Sequence, residues 1–382
     1  MRWKLLFSVV VLFLWMIPAC FAEEIRIAEG RELFMDPCSR CHPMTDMERG
    51  KIAPRIKSMD AFGFGAAMWN QSPNMLKAFA SKGWKPPTIS PLEMKQIFLF
   101  TQIMADNTLF GDPALGKKFV EENHCLTCHS IGGSYKEDVA VDWNRFANIT
   151  HPTTLMAAVW SHRRKMIDAF REAGVPLPRF QKTDLANLME YMRATGNPAG
   201  VAPILVDLEK ITMNPSIFDE FHCNQCHTPS EFIGHPERSL QGVTEALLAH
   251  AFMPAFERPP LDGLTITPEG SLSLAGLVYY YGHLGRSGSI ETGKAVFRQH
   301  QCVNCHDEPD GPSKGGIRIE SVRDEWQLIS RIFNKVPSMI EKASLQSRAF
   351  PRLTPEEMAN LYAYFCSSSP ECNADKKIPG FD

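Results

Sequence analysis

The chain has 382 residues, a net charge of −3, 22% charged residues and 44% hydrophobic residues. These are ordinary globular proportions, and a near-neutral balance argues against nucleic acid or an anionic membrane surface as the main partner. At about 100–150 residues per domain the length suits roughly two to four domains.

The chain begins with Arg2 and Lys4, then an uncharged apolar run from Leu5 to Ile17, small residues at Ala19 and Ala22, and Glu23-Glu24. That three-part pattern is an export signal, expected to occupy residues 1–22 with cleavage after Ala22 and delivery to the periplasm. The apolar run is shorter than the ~20 residues of a membrane-spanning helix. Ile17-Pro18-Ala19-Cys20 loosely resembles a lipoprotein cleavage box. Membrane association is therefore expected only through an uncleaved signal or a lipidated Cys20.

Eleven cysteines in an exported chain would normally suggest disulfides. Eight of them instead form four identical constellations: Cys38-Ser39-Arg40-Cys41-His42, Cys125-Leu126-Thr127-Cys128-His129, Cys223-Asn224-Gln225-Cys226-His227 and Cys302-Val303-Asn304-Cys305-His306. Each is C-x-x-C-H, the attachment signature of haem c. Two thiols on one helical turn reach the two vinyl groups on one side of a porphyrin. The next residue then places an imidazole under the iron as proximal ligand. Zinc and redox dithiols also use C-x-x-C. Neither calls for a histidine after the second cysteine four times over. Four covalent haems, with their iron, are expected.

The motifs recur at intervals of about 80–100 residues, the mark of an internal repeat. In the first unit Gly30 and Phe34 sit on a short amphipathic helix leading into Cys38. Trp69 and Met75 follow, then a helix starting at Ser90-Pro91 with Met94, Ile97, Phe98 and Phe100 on one face. The second unit repeats this with Gly116 and Phe119, Trp160 and Met166, and Leu185-Leu188-Met189-Tyr191. The fourth does so with Gly293 and Phe297, Phe333 and Met339, a Thr354-Pro355 start, and Met358-Leu361-Tyr362-Tyr364. Glycine on the first helix and an aromatic on the last suit two helices that cross closely. One methionine in a helix is usually core. Three of them in the same place, each about 33–37 residues after its own motif histidine, instead mark Met75, Met166 and Met339 as distal sulfur ligands.

The third unit departs from the pattern. Asn214 stands at the glycine position with Phe218 after it, and the last helix, from Thr267-Pro268, carries Leu274, Leu277, Val278 and Tyr280. Between them runs Leu248-Ala249-His250-Ala251-Phe252-Met253-Pro254-Ala255-Phe256. Met253 is the expected distal ligand, His250 is its competitor, and an open sixth position remains a further alternative.

Together these pieces resemble the class I cytochrome c fold repeated four times. The resemblance implies an all-α protein of four tandem cytochrome c-like domains at residues 23–110, 111–200, 201–290 and 291–382, the third atypical. It implies His/Met irons, with His42, His129, His227 and His306 proximal. Met-Pro followed by an aromatic, as at Met253, is also a feature of that family.

Among the remaining histidines, His124, His222 and His300 stand too near their own cysteine pairs to reach the far face of the same haem. His162 competes with Met166, and His151, His235 and His283 show no partner pattern. Cys366 and Cys372 are expected to form a short disulfide loop. The linkers around Asp112-Pro113, residues 195–203 and residues 286–289 are short, so the domains are expected to pack together.

The expected function is electron transfer between an unidentified redox donor protein and an acceptor protein, because saturated irons leave no position for substrate. The alternative is a haem enzyme or enzyme subunit whose third iron is open to a peroxide, a nitrogen oxide or a sulfur oxyanion. A gas-sensing module is a third reading. The chain holds no nucleophile elbow, phosphate loop or His-Glu metalloprotease motif.

Overall fold

A computed structural model describes residues 24–44, 53–56, 59–106, 111–130, 143, 149, 151–181, 183–196, 206–233, 239–257, 259, 261–284, 288–313, 315–370 and 372. The expected signal segment, Cys20 and His235 lie outside the described residues. The described chain is all-α, as expected, and its helices fall into four triplets. The first comprises α1 (Ile27–Met35), α2 (Ala61–Ser81) and α3 (Pro91–Asp106). The second comprises α4 (Pro113–Glu122), α5 (Pro152–Ala173) and α6 (Asp184–Thr195). The third comprises α7 (Ile217–Glu220), α8 (Leu240–His250) and α9 (Pro268–Gly282), and the fourth α10 (Ile290–Gln299), α11 (Glu325–Leu345) and α12 (Pro355–Ser367). A single helical turn, Ala53–Ile56, lies between α1 and α2.

The helix starts follow from their caps. Asp60, Ser239, Thr267 and Asp324 each accept the N–H three residues on, and Thr354 with Glu357 forms a reciprocal capping box. Asp112-Pro113, expected as a linker, is instead the N-cap and first residue of α4, with Ala114 N–H donating to Asp112 at 2.8 Å. Ser289 caps α10 by accepting the Thr292 N–H at 3.2 Å.

In triplets one, two and four the leading helix crosses the last helix closely. An added Cβ at Gly30, Gly116 or Gly293 would lie 2.3, 2.0 or 2.0 Å from the backbone oxygen of Gln96, Asn187 or Asn360. Beside each glycine sits the Cβ of the aromatic one turn further on: Phe100, Tyr191 or Tyr364. Asn187 and Asn360 also accept the backbone N–H of Asp112 and Ser289, at 2.8 and 2.7 Å. Triplet three solves the crossing differently. Its leading helix is one turn long, and the glycine has moved to the last helix, where Gly276 receives the side chain of Met213. Met213 belongs to β2 (Thr212–Met213), which pairs antiparallel with β1 (Ile25–Arg26) and so ties triplet three to triplet one.

Triplets pack in pairs that do not follow chain order. α2 of the first lies on α11 and α12 of the fourth, and α5 of the second lies on α8 and α9 of the third. Trp69 Nε1–H donates to the Pro351 carbonyl at 2.7 Å, and Trp160 Nε1–H donates to Leu264 at 3.1 Å. These carbonyls stand at the same place before α12 and α9. A continuous core runs through triplets one, two and three and includes Trp326 and Ile329 of α11, while Phe62, Ala66 and Trp69 of α2 belong to the fourth triplet's core. The units are packed together, as expected. Among the described residues no helix is long and apolar enough to cross a membrane.

Candidate cofactor sites

All four C-x-x-C-H segments fold as the same short 3-10 turn: Cys38–Arg40, Cys125–Thr127, Cys223–Gln225 and Cys302–Asn304. In each, the N–H of the motif histidine donates to the carbonyl of the first cysteine, at 2.9, 3.0, 2.9 and 2.9 Å in chain order. The two thiols and the imidazole thus share one turn. The residue before the first cysteine is left-handed in three motifs, with φ of 54° at His124, 55° at His222 and 61° at Gln301. Pro37 occupies that place in the first motif with φ −107°, because its ring holds φ negative. His124 and His222 are thus part of the turn itself.

In every motif the first cysteine packs against the core. Burial pushes the thiols of Cys38, Cys125, Cys223 and Cys302 up to about 11. A dithiol oxidoreductase works through a thiolate of depressed pKa, so these thiols point the opposite way. Among the described residues, no three His, Cys, Asp or Glu side chains gather as a set that could hold a metal ion alone. Zinc held by protein donors needs about four of them, whereas iron in a porphyrin takes one or two.

Two motif histidines have a fixed Nδ1. His227 Nδ1 lies 3.1 Å from a Glu231 carboxylate oxygen, and His306 Nδ1 lies 3.2 Å from the Ile317 carbonyl. Both partners are acceptors, so Nδ1 donates and Nε2 keeps its lone pair for a metal. His129 meets the edge of Trp143, with ring centroids 5.9 Å apart. These supporting groups escaped the motif reading. Glu231 was findable, since Thr228-Pro229-Ser230-Glu231 is a capping-box pattern and its carboxylate also serves the Thr228 cap. The contacts of Trp143 and Ile317 depend on tertiary packing alone.

The second motif opens on a cleft of about 1310 Å³, open solvent included. Cys125, Cys128 and His129 line it together with Met166 and His162 of α5, and Phe119, Phe180 and Leu188 contribute apolar wall. The structure therefore brings this expected set to one cleft. Met75, Met166 and Met339 hold one position, each fifteen residues past its helix cap at Asp60, His151 or Asp324. Met75 lines a hollow of about 590 Å³ shared with Phe333 and Val336 of α11. Met339 and Cys302 both pack on the fourth triplet's core.

The third triplet is different. α8 ends at His250, and Met253 falls beyond it on a turn, 43% exposed. The ring of His250 stands 5.9 Å from that of His227, centroid to centroid. Of the other histidines, His300 Nε2 contacts Glu357 at 2.9 Å, tying α10 to α12, and His151 caps α5. The structure joins Cys366 to Cys372, as expected. No family model, curated protein or solved structure matches the chain.

Proposed function

We propose that the protein is an exported tetrahaem c-type cytochrome, built of four tandem class I cytochrome c-like domains, that carries electrons between two redox proteins of the periplasm. The observation that carries this reading is the fourfold recurrence of one turn presenting two thiols and an imidazole. The donor set fits the group. Thiols and imidazole stand on one wall of the second motif's cleft, a thioether is on α5, and the walls between are apolar. A bound haem c supplies a one-electron iron couple.

The chain's own residues would do the rest. The paired cysteines would hold the haem through thioether bonds, and His42, His129, His227 and His306 would each offer an imidazole to its iron. Glu231 and the Ile317 carbonyl hold two of those rings in one tautomer and orientation. Phe119, Leu188 and Phe180 give the second cleft apolar wall. Apolar surroundings of this kind would help set the potential of a haem held there.

The test is the mass of the denatured protein, produced in a host that exports it and attaches haem. Four covalent haems per chain are expected, falling to three in the double variant Cys125→Ala, Cys128→Ala, which removes the second attachment site. A chain that leaves such a host with no covalent haem would end this reading.

A further inference from the structure

In the third triplet the middle helix stops before the methionine position of its siblings, and its last residue, a histidine, lies against the motif imidazole. In triplets one, two and four the middle helix runs 21 or 22 residues and carries its methionine in the last two turns. α8 is 11 residues long. Met253 lies three residues past the end of α8, directly before the separate 3-10 turn Pro254–Glu257. Met253 therefore has no helical seat, and 43% of its surface is exposed.

His250 has one. It is the last residue of α8, and its Nδ1 donates to the Ala246 carbonyl at 2.6 Å. That bond fixes the tautomer and leaves Nε2 with its lone pair. Across from it, Glu231 fixes His227 in the same tautomer. The two rings stand 5.9 Å apart between centroids, at 61°. Metal–imidazole bonds of about 2 Å on either side of one iron place trans ring centroids roughly 6 Å apart. Imidazoles on opposite sides of one metal can take any mutual rotation, so the 61° between the ring planes does not exclude the pairing. Phe232 lies 5.4 Å from His227 and Phe256 lies 5.8 Å from His250, which gives the pair apolar flanks.

His162 of α5 holds the equivalent place, eleven residues past its cap, and bonds the Ala158 carbonyl in the same way. In α5, however, the helix continues one turn to Met166. The shortening of α8 is what leaves the histidine alone.

Resting on the haem reading above, we propose that the third haem is held between His227 and His250, one bis-histidine iron beside three His/Met irons. Methionine sulfur raises a haem potential relative to imidazole, so the third haem then has the lowest potential of the four.

The test uses the holoprotein, with covalent haem counted first, so that loss of the cytochrome reading is recognised separately. Near-infrared magnetic circular dichroism of the ferric protein separates methionine-ligated from bis-imidazole irons. Three methionine signatures and one bis-imidazole signature are expected. His250→Ala should abolish the latter and leave one haem of four high-spin and open to carbon monoxide, while Met253→Leu should leave all four signatures in place. Four methionine signatures, a high-spin iron in the unsubstituted protein, or a bis-imidazole signal that survives His250→Ala would each overturn the proposal. The unsubstituted spectrum decides the matter even if a variant fails to fold.

Discussion

His151 shows how a single side chain can set the acid limit of the fold. It caps α5, with Thr153 N–H donating to its Nδ1 at 3.2 Å, and it is buried. Its Nε2 has no partner among the described residues. Burial drives its pKa down to about 3 from an ordinary 6.5. The ring is therefore neutral when folded, and only the unfolded chain takes up the proton between those values. Stability is full above pH 6.5 and falls as pH drops toward 3, by up to about 1.4 kcal/mol per unit. His151→Asn keeps a capping acceptor and removes the titration. Urea midpoints at pH 7 and pH 5 should lie closer together in this variant than in the parent. An unchanged gap would show that other groups govern the acid limb.

The crossings of leading and last helices depend on a missing side chain rather than on a favourable contact. At Gly116 and Gly293 a methyl group would enter the backbone of Asn187 and Asn360. The helices must then separate, and over-packing of this kind costs about 1–3 kcal/mol or more. Gly116→Ala and Gly293→Ala should each lower the thermal midpoint, whereas Gly83→Ala is not a matched control because Gly83 has φ +68°. Gly263, with nothing within 4 Å of an added Cβ, is the proper one. Equal midpoints for Gly116→Ala and Gly263→Ala would contradict the close-packing account.

This crossing was readable in advance, because the glycine and aromatic recur at fixed places beside the motifs. So were the caps at Thr267 and Thr354. The shortened α8 was not readable, since Met253-Pro254 pointed to Met253 as the ligand and nothing local showed where His250 would point. Asn187 and Asn360 were not readable as caps for Asp112 and Ser289. Their partners lie some seventy residues away, and periodicity reports only on neighbours within a few turns.

The pairing of triplets was also beyond sequence reading, and it governs how the protein behaves as one body. Asn70 exchanges two hydrogen bonds with Leu353, at 2.7 and 2.9 Å, and Asn334 exchanges two with Ile89, at 2.8 and 2.9 Å. Both asparagines stand ten residues past their helix caps, so the first and fourth triplets meet in a reciprocal interface. Truncating Asn70 leaves the Leu353 N–H and carbonyl without this partner, and truncating Asn334 leaves the Ile89 N–H without one while the Ile89 carbonyl keeps the Ser330 hydroxyl at 2.6 Å. Asn70→Ala and Asn334→Ala should each cost about 1–3 kcal/mol in chemical unfolding. A silent member of the pair would show that the interface is not reciprocal in energy.

The same interface means that the fourth triplet covers Phe62 and Trp69 of α2. A chain ending before residue 288 should expose them and bind a hydrophobic dye that the full chain excludes. The triplets therefore neighbour one another in an order other than that of the chain, with two beside three, three beside one, and one beside four.

Carbon monoxide titration of the fully reduced holoprotein, counted per covalent haem, tests the carrier reading most directly. Four closed irons should take up none. Uptake at one haem in four would reveal an open iron and bring forward a protein that binds or transforms a small ligand.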